Sequence, residues 1–370
     1  MDELYMKRAI NLAKKGTGHT SPNPLVGAVI VKDNRIIGEG YHEYYGGNHA
    51  EVNAIESATE DVEGATIYVT LEPCSHFGKT PPCAKKIVES KFAKVVIGMT
   101  DPNPLVAGRG IRIIRDAGIE VVTGVLEDDV KELNEVFIKY ILTKKPFCYM
   151  KYAMTLDGKI ASWSGDSKWI TSEKSRKYVH DIRQKVSAIM VGIGTVLADD
   201  PSLTTRRDSE LDKDAVRVIL DTRCRIPLDA RVLNLESSVR TIIATGSSYD
   251  EKLEALREKG AEVIVTPLKE NRIDIKWLFD ELGRMGLDSV LLEGGATLNY
   301  SALEAGVVDK VMAFVAPKMI GGQNAKTPVE GEGITYIRDA VKLKDIDIKR
   351  FDEDILITGM IDNKDKEEGD

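Results

Sequence analysis

His49-Ala50-Glu51, Pro73-Cys74 and Pro82-Cys83 bring one imidazole, one carboxylate and two thiols together between positions 49 and 83. No other feature constrains the fold as much. Three donors from separate segments meet at one ion only where strand ends and helix starts converge. Zinc accepts Cys sulfur and His nitrogen tetrahedrally, and three protein ligands leave the fourth position to water, the mark of a catalytic rather than a structural site. The pattern predicts helix starts at His49 and Cys83. There the free N–H groups and dipole favour an anionic carboxylate and lower the pKa of a thiol.

Taken singly, His49 would be an ordinary surface or core histidine and each cysteine a small buried hydrophobe. Jointly they predict a catalytic zinc held by His49, Cys74 and Cys83, with Glu51 off the metal and moving protons. His-x-Glu followed by Pro-Cys and a second Cys is the zinc-deaminase pattern. One departure stands out: that pattern has Cys-x-x-Cys, whereas here Ser75 to Pro82 separate the two thiols. The insertion adds His76 and Lys79, which suit a substrate phosphate; a solvated loop is the alternative.

The chain is too long for one such site. At 370 residues it exceeds the usual limit of a single core, so about two domains are expected. A net charge of −8 and a pI near 5.4 argue against nucleic acid as a partner, which needs a basic face. Four cysteines, two of them in the metal pattern, make no disulfide framework and point to a reducing compartment. Met1-Asp2-Glu3-Leu4 lacks a basic n-region, and no apolar run approaches the ~20 residues of a membrane span. A cytoplasmic protein without membrane partners, forming a homo-oligomer, is expected.

In the first half the periodicity predicts a helix over 2–15 closed by Lys14-Lys15-Gly16, a strand over 26–31 and its hairpin partner at 35–37. Residues 38–47 read as a glycine- and tyrosine-rich loop carrying His42. A strand over 65–71 delivers Glu72-Pro73-Cys74. Strands at 94–98 and 119–124, with helices at 108–116 and 127–142, complete an α/β layered domain. Pro-Asn-Pro-Leu-Val occurs at 22–26 and again at 102–106. Two turns explain it; alternatively Asn23 and Asn103 line a pocket rim and hydrogen-bond a polar heterocycle.

Thr143-Lys144-Lys145-Pro146 precedes a fresh apolar strand and marks a domain boundary. Strands over 147–153, 188–192, 216–221, 241–245, 262–266, 289–293, 308–316 and 355–360 then alternate with helices over 172–185, 250–259, 275–285 and 296–305. That is a mostly parallel sheet covered on both faces. Gly192-Ile193-Gly194-Thr195 begins a dinucleotide fingerprint, but Leu197 stands where its third glycine belongs, so the Rossmann motif is absent. Glu293-Gly294-Gly295-Ala296-Thr297-Leu298 follows a strand and opens a helix, the better place for a pyrophosphate. Residues 361–370 are nearly all charged or polar and read as a disordered tail.

At this point a family resemblance becomes specific. Thr70 to Cys83, with Asp101-Pro102-Asn103-Pro104 and Gly108-Arg109-Gly110, is similar to the deaminase half of the bifunctional riboflavin-biosynthesis deaminase–reductases. Three further stretches resemble the reductase half: Lys151 to Ile160, Gly165 to Ser172, and Gly194 to Arg206. The likeness covers essentially the whole chain. It implies a cytidine-deaminase-like α/β/α layer domain over 1–145 and a dihydrofolate-reductase-like α/β domain over 146–360, using Zn²⁺ and NADPH. It also implies that 2,5-diamino-6-(phosphoribosylamino)pyrimidin-4-one loses its 2-amino group as ammonia. Hydride transfer to C1′ of the opened ribose then gives the ribitylamino product.

Carried over by position, Asn23, His42, His76, Lys79, Asp101 and Asn103 would contact the first substrate. Ala153, Trp169, Thr195, Asp199, Thr222 and the stretch Gly295, Ala296, Thr297, Leu298, Asn299, Tyr300 and Ser301 would hold the cofactor. Ser167, Arg183, Leu203, Arg206 and Glu293 would hold the second substrate, the two arginines suiting its phosphate. Lys151 is read either as polarising or protonating the reduced centre or as a surface lysine, and Arg223 as a contact for the 2′-phosphate of NADP. Two other classes compete. A nucleic-acid deaminase is disfavoured by the acidic balance. A non-enzymatic zinc-stapled scaffold requires a fourth protein ligand, for which His76 or the more distant His42 would serve.

Overall fold

The computed structural model describes residues 1–75, 82–104, 106–207 and 213–362. His76 and Lys79, and the expected tail from residue 363 onward, therefore lie outside the described residues. The chain divides into two compact units, the first ending at Lys144 and the second beginning at Lys145.

The first unit runs α1 (Asp2–Ala13), β1 (Gly27–Lys32), β2 (Arg35–Tyr41), α2 (Ala50–Glu56), β3 (Thr66–Leu71), α3 (Cys83–Glu89), β4 (Lys94–Met99), α4 (Arg109–Asp116), β5 (Glu120–Thr123), α5 (Glu127–Leu133) and α6 (Glu135–Thr143). Its five strands lie in the order β2-β1-β3-β4-β5. The β1–β2 and β1–β3 pairs are antiparallel, and β3, β4 and β5 are parallel. Period-two alternation sorts the strand residues onto two faces. Ile30, Ile67, Val69, Val95 and Ile97 pack with Ala54, Ile87 and Ile114 from α2, α3 and α4. Val29, Val31, Tyr68 and Val96 pack with Met6, Ala9 and Val130 from α1 and α5. Because both faces are covered, the open ground is at the strand ends. Cys74 follows the C-terminal end of β3 there.

Two expectations change. The loop expected over 38–47 begins only after Tyr41, because β2 continues to that residue. The glycines of β2 are there because α2 presses on the strand: a Cβ on Gly38 would stand 2.4 Å from the Ala54 carbonyl oxygen, and one on Gly40 would stand 2.3 Å from the Ala54 nitrogen. The expected single helix over 127–142 is two, α5 and α6, broken at Asn134. The Asn134 side chain is diverted to the chain before β1, accepting from Leu25 N–H at 2.8 Å and donating to Leu25 C=O at 3.1 Å.

The second unit runs β6 (Phe147–Thr155), α7 (Glu173–Lys185), β7 (Ala188–Gly192), α8 (Ile193–Asp199), β8 (Val216–Leu220), β9 (Thr241–Thr245), α9 (Asp250–Glu258), β10 (Glu262–Val265), the short hairpin β11 (Leu268–Lys269) and β12 (Arg272–Ile273), α10 (Ile275–Arg284), β13 (Ser289–Leu292), α11 (Ala296–Glu304), β14 (Lys310–Ala316), β15 (Leu343–Phe351) and β16 (Asp354–Ile361). Nine strands form one sheet in the order β10-β9-β8-β7-β13-β6-β14-β16-β15. It is parallel from β10 to β14, and β16 and β15 close it antiparallel. One face packs Val179, Ile182, Leu253 and Leu256 of α7 and α9; the other packs Leu278, Phe279, Leu298 and Ala302 of α10 and α11. β16 extends to Ile361, one residue into the expected tail. β15 has no counterpart in the sequence reading: its residues are charged or singly apolar, and nearly all are exposed.

Candidate active sites

In the first unit β3, α2 and α3 converge. His49 is the N-cap residue of α2 and Cys83 the first residue of α3. His49 Nδ1 lies 3.6 Å from Cys74 Sγ and 3.3 Å from Cys83 Sγ. All three donor atoms fall within 4.8 Å of one another, the only such cluster among the described residues. Nitrogen and two sulfurs at this spacing fit one tetrahedral zinc with an open position. The Cys83 thiol donating to Cys74, with help from His49, holds the Cys74 thiol well below its ordinary value, while the same bond and burial push Cys83 up. Ligation needs both as thiolates, so loading the metal releases a proton.

Glu51 is 3% exposed, inside the first turn of α2. Burial raises its carboxyl to about 7, against an opposing pull from His49. A carboxyl poised near neutrality can both take and return a proton, as an acid/base catalyst must. His42 does not close the metal. Its Nδ1 faces the Asn48 carbonyl at 2.9 Å and its Nε2 lies 3.1 Å from Asn23 Nδ2. A donor bond to Asn48 from Nδ1 leaves Nε2 as acceptor for the Asn23 amide, and burial, with the nearby His49, keeps the ring pKa low. Asn23 and His42 are thus joined to each other. Asp101 Oδ1 accepts from the Asn103 backbone N–H at 2.8 Å.

In the second unit the residues gather at the C-terminal ends of the parallel strands, where open α/β sheets bind ligands. Gly294 (φ 142°) and Gly295 (φ 90°) turn the chain from β13 into α11. Thr195 Oγ1 stands 3.5 Å from where a Cβ of Gly294 would be, so α8 borders this turn. The first N–H groups of α11 open beside it, a fit for a pyrophosphate. Leu298 and Asn299 are buried further along, and Asn299 Nδ2 donates to the Pro328 carbonyl at 2.8 Å. Tyr300 donates to the Gly333 carbonyl, whereas Thr297 is exposed and Ser301 half-buried. Trp169 is 63% exposed, with the Arg176 guanidinium 4.5 Å above its ring. Asp199 ends α8 and is exposed, Ala153 lies on β6, and the Thr222 carbonyl accepts from Gly246 N–H at 3.2 Å. Arg223 is exposed and Ser167 half-buried.

The carried-over substrate residues separate by geometry. Arg183 is committed to Glu293, with Nε–Oε1 at 2.7 Å and Nη2–Oε2 at 2.6 Å, and its Nη1 donates to Thr204 C=O. Arg206, by contrast, is exposed. Leu203 is buried in the core with a φ of 52°. Burial lowers the Lys151 ammonium; Glu293 opposes this and Arg183 adds to it. Lys151 is half-buried on β6, its Nζ 6.0 Å from the centroid of the Phe314 ring. His180 was not singled out by the sequence. Its Nδ1 accepts the Arg206 backbone N–H at 3.2 Å, and burial together with Arg183 and Arg206 lowers it to about 4. A lone histidine on a charged helix carries no local signal; only the helical spacing from His180 to Arg183 would have found it.

A zinc-dependent hydrolytic deaminase joined on one chain to a dinucleotide-dependent reductase is the class these two units define. The zinc-binding region of the cytidine and deoxycytidylate deaminases matches residues 1–99, and the RibD C-terminal domain matches 146–357. The chain is 52% identical over 353 residues to the riboflavin biosynthesis protein RibD of Actinobacillus pleuropneumoniae, covering 95% of this chain and 93% of that one. It is 38% identical to the Escherichia coli RibD over 368 residues, covering 96% and 98%. A Thermotoga maritima diaminohydroxyphosphoribosylaminopyrimidine deaminase/5-amino-6-(5-phosphoribosylamino)uracil reductase superposes with a TM-score of 0.86 at 42% identity, covering 98% of this chain and 99% of that one. The chain belongs to the RibD family of bifunctional riboflavin-biosynthesis enzymes. Its first unit has the cytidine-deaminase-like fold and its second the dihydrofolate-reductase-like fold, and the family uses zinc and NADPH.

Proposed function

We propose that this chain deaminates 2,5-diamino-6-(5-phosphoribosylamino)pyrimidin-4-one and then reduces the ribosyl group of the product, residues 1–145 performing the first step and 146–360 the second. The observation that carries this reading is the convergence of His49, Cys74 and Cys83 with a buried Glu51 on the same chain as a reductase-like sheet. Zinc, when bound, supplies a water acidified toward neutrality. Glu51 would take one proton from that water as its oxygen bonds to C2 of the pyrimidine and pass it to the ring nitrogen, then take the second from the resulting C2 hydroxyl and pass it to the amine as the C–N bond breaks and ammonia leaves. Asn23, His42, Asp101 and Asn103 hold the ring and ribose, and the side chains of His76 and Lys79, which lie outside the described residues, suit its phosphate by their chemistry.

In the second step NADPH supplies the hydride. The Gly294–Gly295 turn and the start of α11 seat its pyrophosphate, and Ala153, Trp169, Thr195, Asp199 and Thr222 border the rest. Arg223 takes its 2′-phosphate. Arg206 takes the substrate phosphate. Glu293 fixes Arg183 and faces Lys151, which provides the proton that accompanies the hydride. No disulfide joins Cys74, Cys83, Cys148 and Cys224, which supports a cytoplasmic enzyme; no helix among the described residues is long and apolar enough to cross a membrane. The exposed edge strand β15 supports a homo-oligomer.

The test feeds the diaminopyrimidine to zinc-loaded enzyme, first alone and then with NADPH. Ammonia release alone, followed by NADPH oxidation to the ribitylamino product, is expected. NADPH oxidation without prior ammonia release would overturn the order of steps.

A further inference from the structure

Glu72 stands between β3 and the ligand Cys74, and the mechanism above gives it no task. Its carboxylate is 5% exposed and collects four backbone N–H donors. Oε2 accepts from Asp101 at 3.1 Å and Gly108 at 2.9 Å; Oε1 accepts from Gly110 at 3.0 Å and Ile111 at 3.3 Å. Gly108 is the N-cap of α4 and has no side chain to satisfy the first N–H groups of that helix. Glu72 reaches across from another strand to cap it. The approach is close: a Cβ on Gly110 would lie 1.9 Å from the Pro73 carbonyl oxygen.

We propose that Glu72 is a positioning residue of the deaminase site, holding Asp101 and the start of α4 against the metal-bearing turn so that Asp101 and Asn103 meet the substrate at a set distance from the zinc. Asp101 is held through its own N–H, and its carboxylate in turn holds the Asn103 N–H. One buried carboxylate thus ties substrate recognition to a ligand two residues away. The inference rests on the deaminase reading.

The test uses full-length, zinc-loaded enzyme carrying Glu72→Gln or Glu72→Ala. Glutamine keeps the shape but turns an amide N–H₂ toward one pair of donors, so two charge-assisted bonds are lost. Expected for Glu72→Gln are unchanged zinc content, unchanged reduction of pre-deaminated substrate, and a deaminase KM raised about tenfold with kcat changed far less. Amide exchange at the paired N–H groups should quicken. In Glu72→Ala, formate should re-enter the four-donor cradle and lower KM again. An unchanged KM in Glu72→Gln, or no response of Glu72→Ala to formate, would overturn the inference. Zinc and activity falling together would overturn it too, since Glu72 would then support the metal itself. If the unaltered enzyme released no ammonia, the deaminase reading would fail instead.

Discussion

At the residue scale the deaminase site depends on Glu51, whose burial lifts its carboxyl to about 7. Glu51→Gln keeps the side chain's shape and removes the titrating oxygen. The variant should bind zinc as the native enzyme does and lose deamination by on the order of a hundredfold or more. Equal zinc and equal turnover would remove Glu51 from the mechanism. His180 yields a prediction in pH. Its ordinary value of 6.5 falls to about 4 in the folded chain. Between those values the unfolded chain binds a proton that the folded chain refuses, so stability declines as pH falls through that window and levels off below it. His180→Asn keeps an acceptor for the Arg206 N–H without titrating, so its melting temperature should fall less between pH 7 and pH 5. An identical pH slope in the two proteins would contradict this. Legibility at this scale follows chemistry. The convergence of His49, Cys74 and Cys83 could be expected from the sequence because few other uses explain those types together. Glu72, His180 and Asn134 were not, because their partners are backbone groups whose positions only the fold supplies.

Elements were legible where burial imposed a period. The β-branched runs of β3, β4, β7, β9 and β13 announced themselves because both faces of their sheets are covered. β15 did not: its short alternation from Asp345 to Lys349 stays exposed, so burial imposes nothing on it, and it is held by its pairing to β16. β2 was read short because its glycines look like loop residues, although a helix lying against the strand is what demands them. Within the second unit, α7 is tied to the residue after β13 by Arg183 and Glu293, whose side chains are 13% and 8% exposed. Arg183→Met would leave a buried carboxylate without its bidentate partner and should cost about 3–5 kcal/mol in urea unfolding. Arg183→Met combined with Glu293→Leu should regain much of that stability and none of the reductase activity. A single variant as stable as the native enzyme would mean that the pair carries no structural weight.

For the molecule as a whole, a helix end, a basic pair and a proline gave the expectation of a boundary near Pro146, and the chain divides into compact units between Lys144 and Lys145. The sheet order was not readable, since β13 inserts between β7 and β6 and only contacts far apart in sequence decide that. Ile346 and Ile348 on the edge strand β15 are 51% and 64% exposed, and long exposed edges are normally covered. Sedimentation should therefore find more than one chain per particle, and Ile348→Lys should shift the distribution toward single chains. A single-chain particle at every concentration would contradict the proposed oligomer. The central claim is that one chain carries two separable chemistries, only the first needing the metal. It is tested most directly by removing zinc with a chelator and assaying both steps in the same preparation. The account predicts that ammonia release stops, while NADPH-dependent reduction of pre-deaminated substrate continues at its original rate. Deamination that survives complete zinc removal would contradict it.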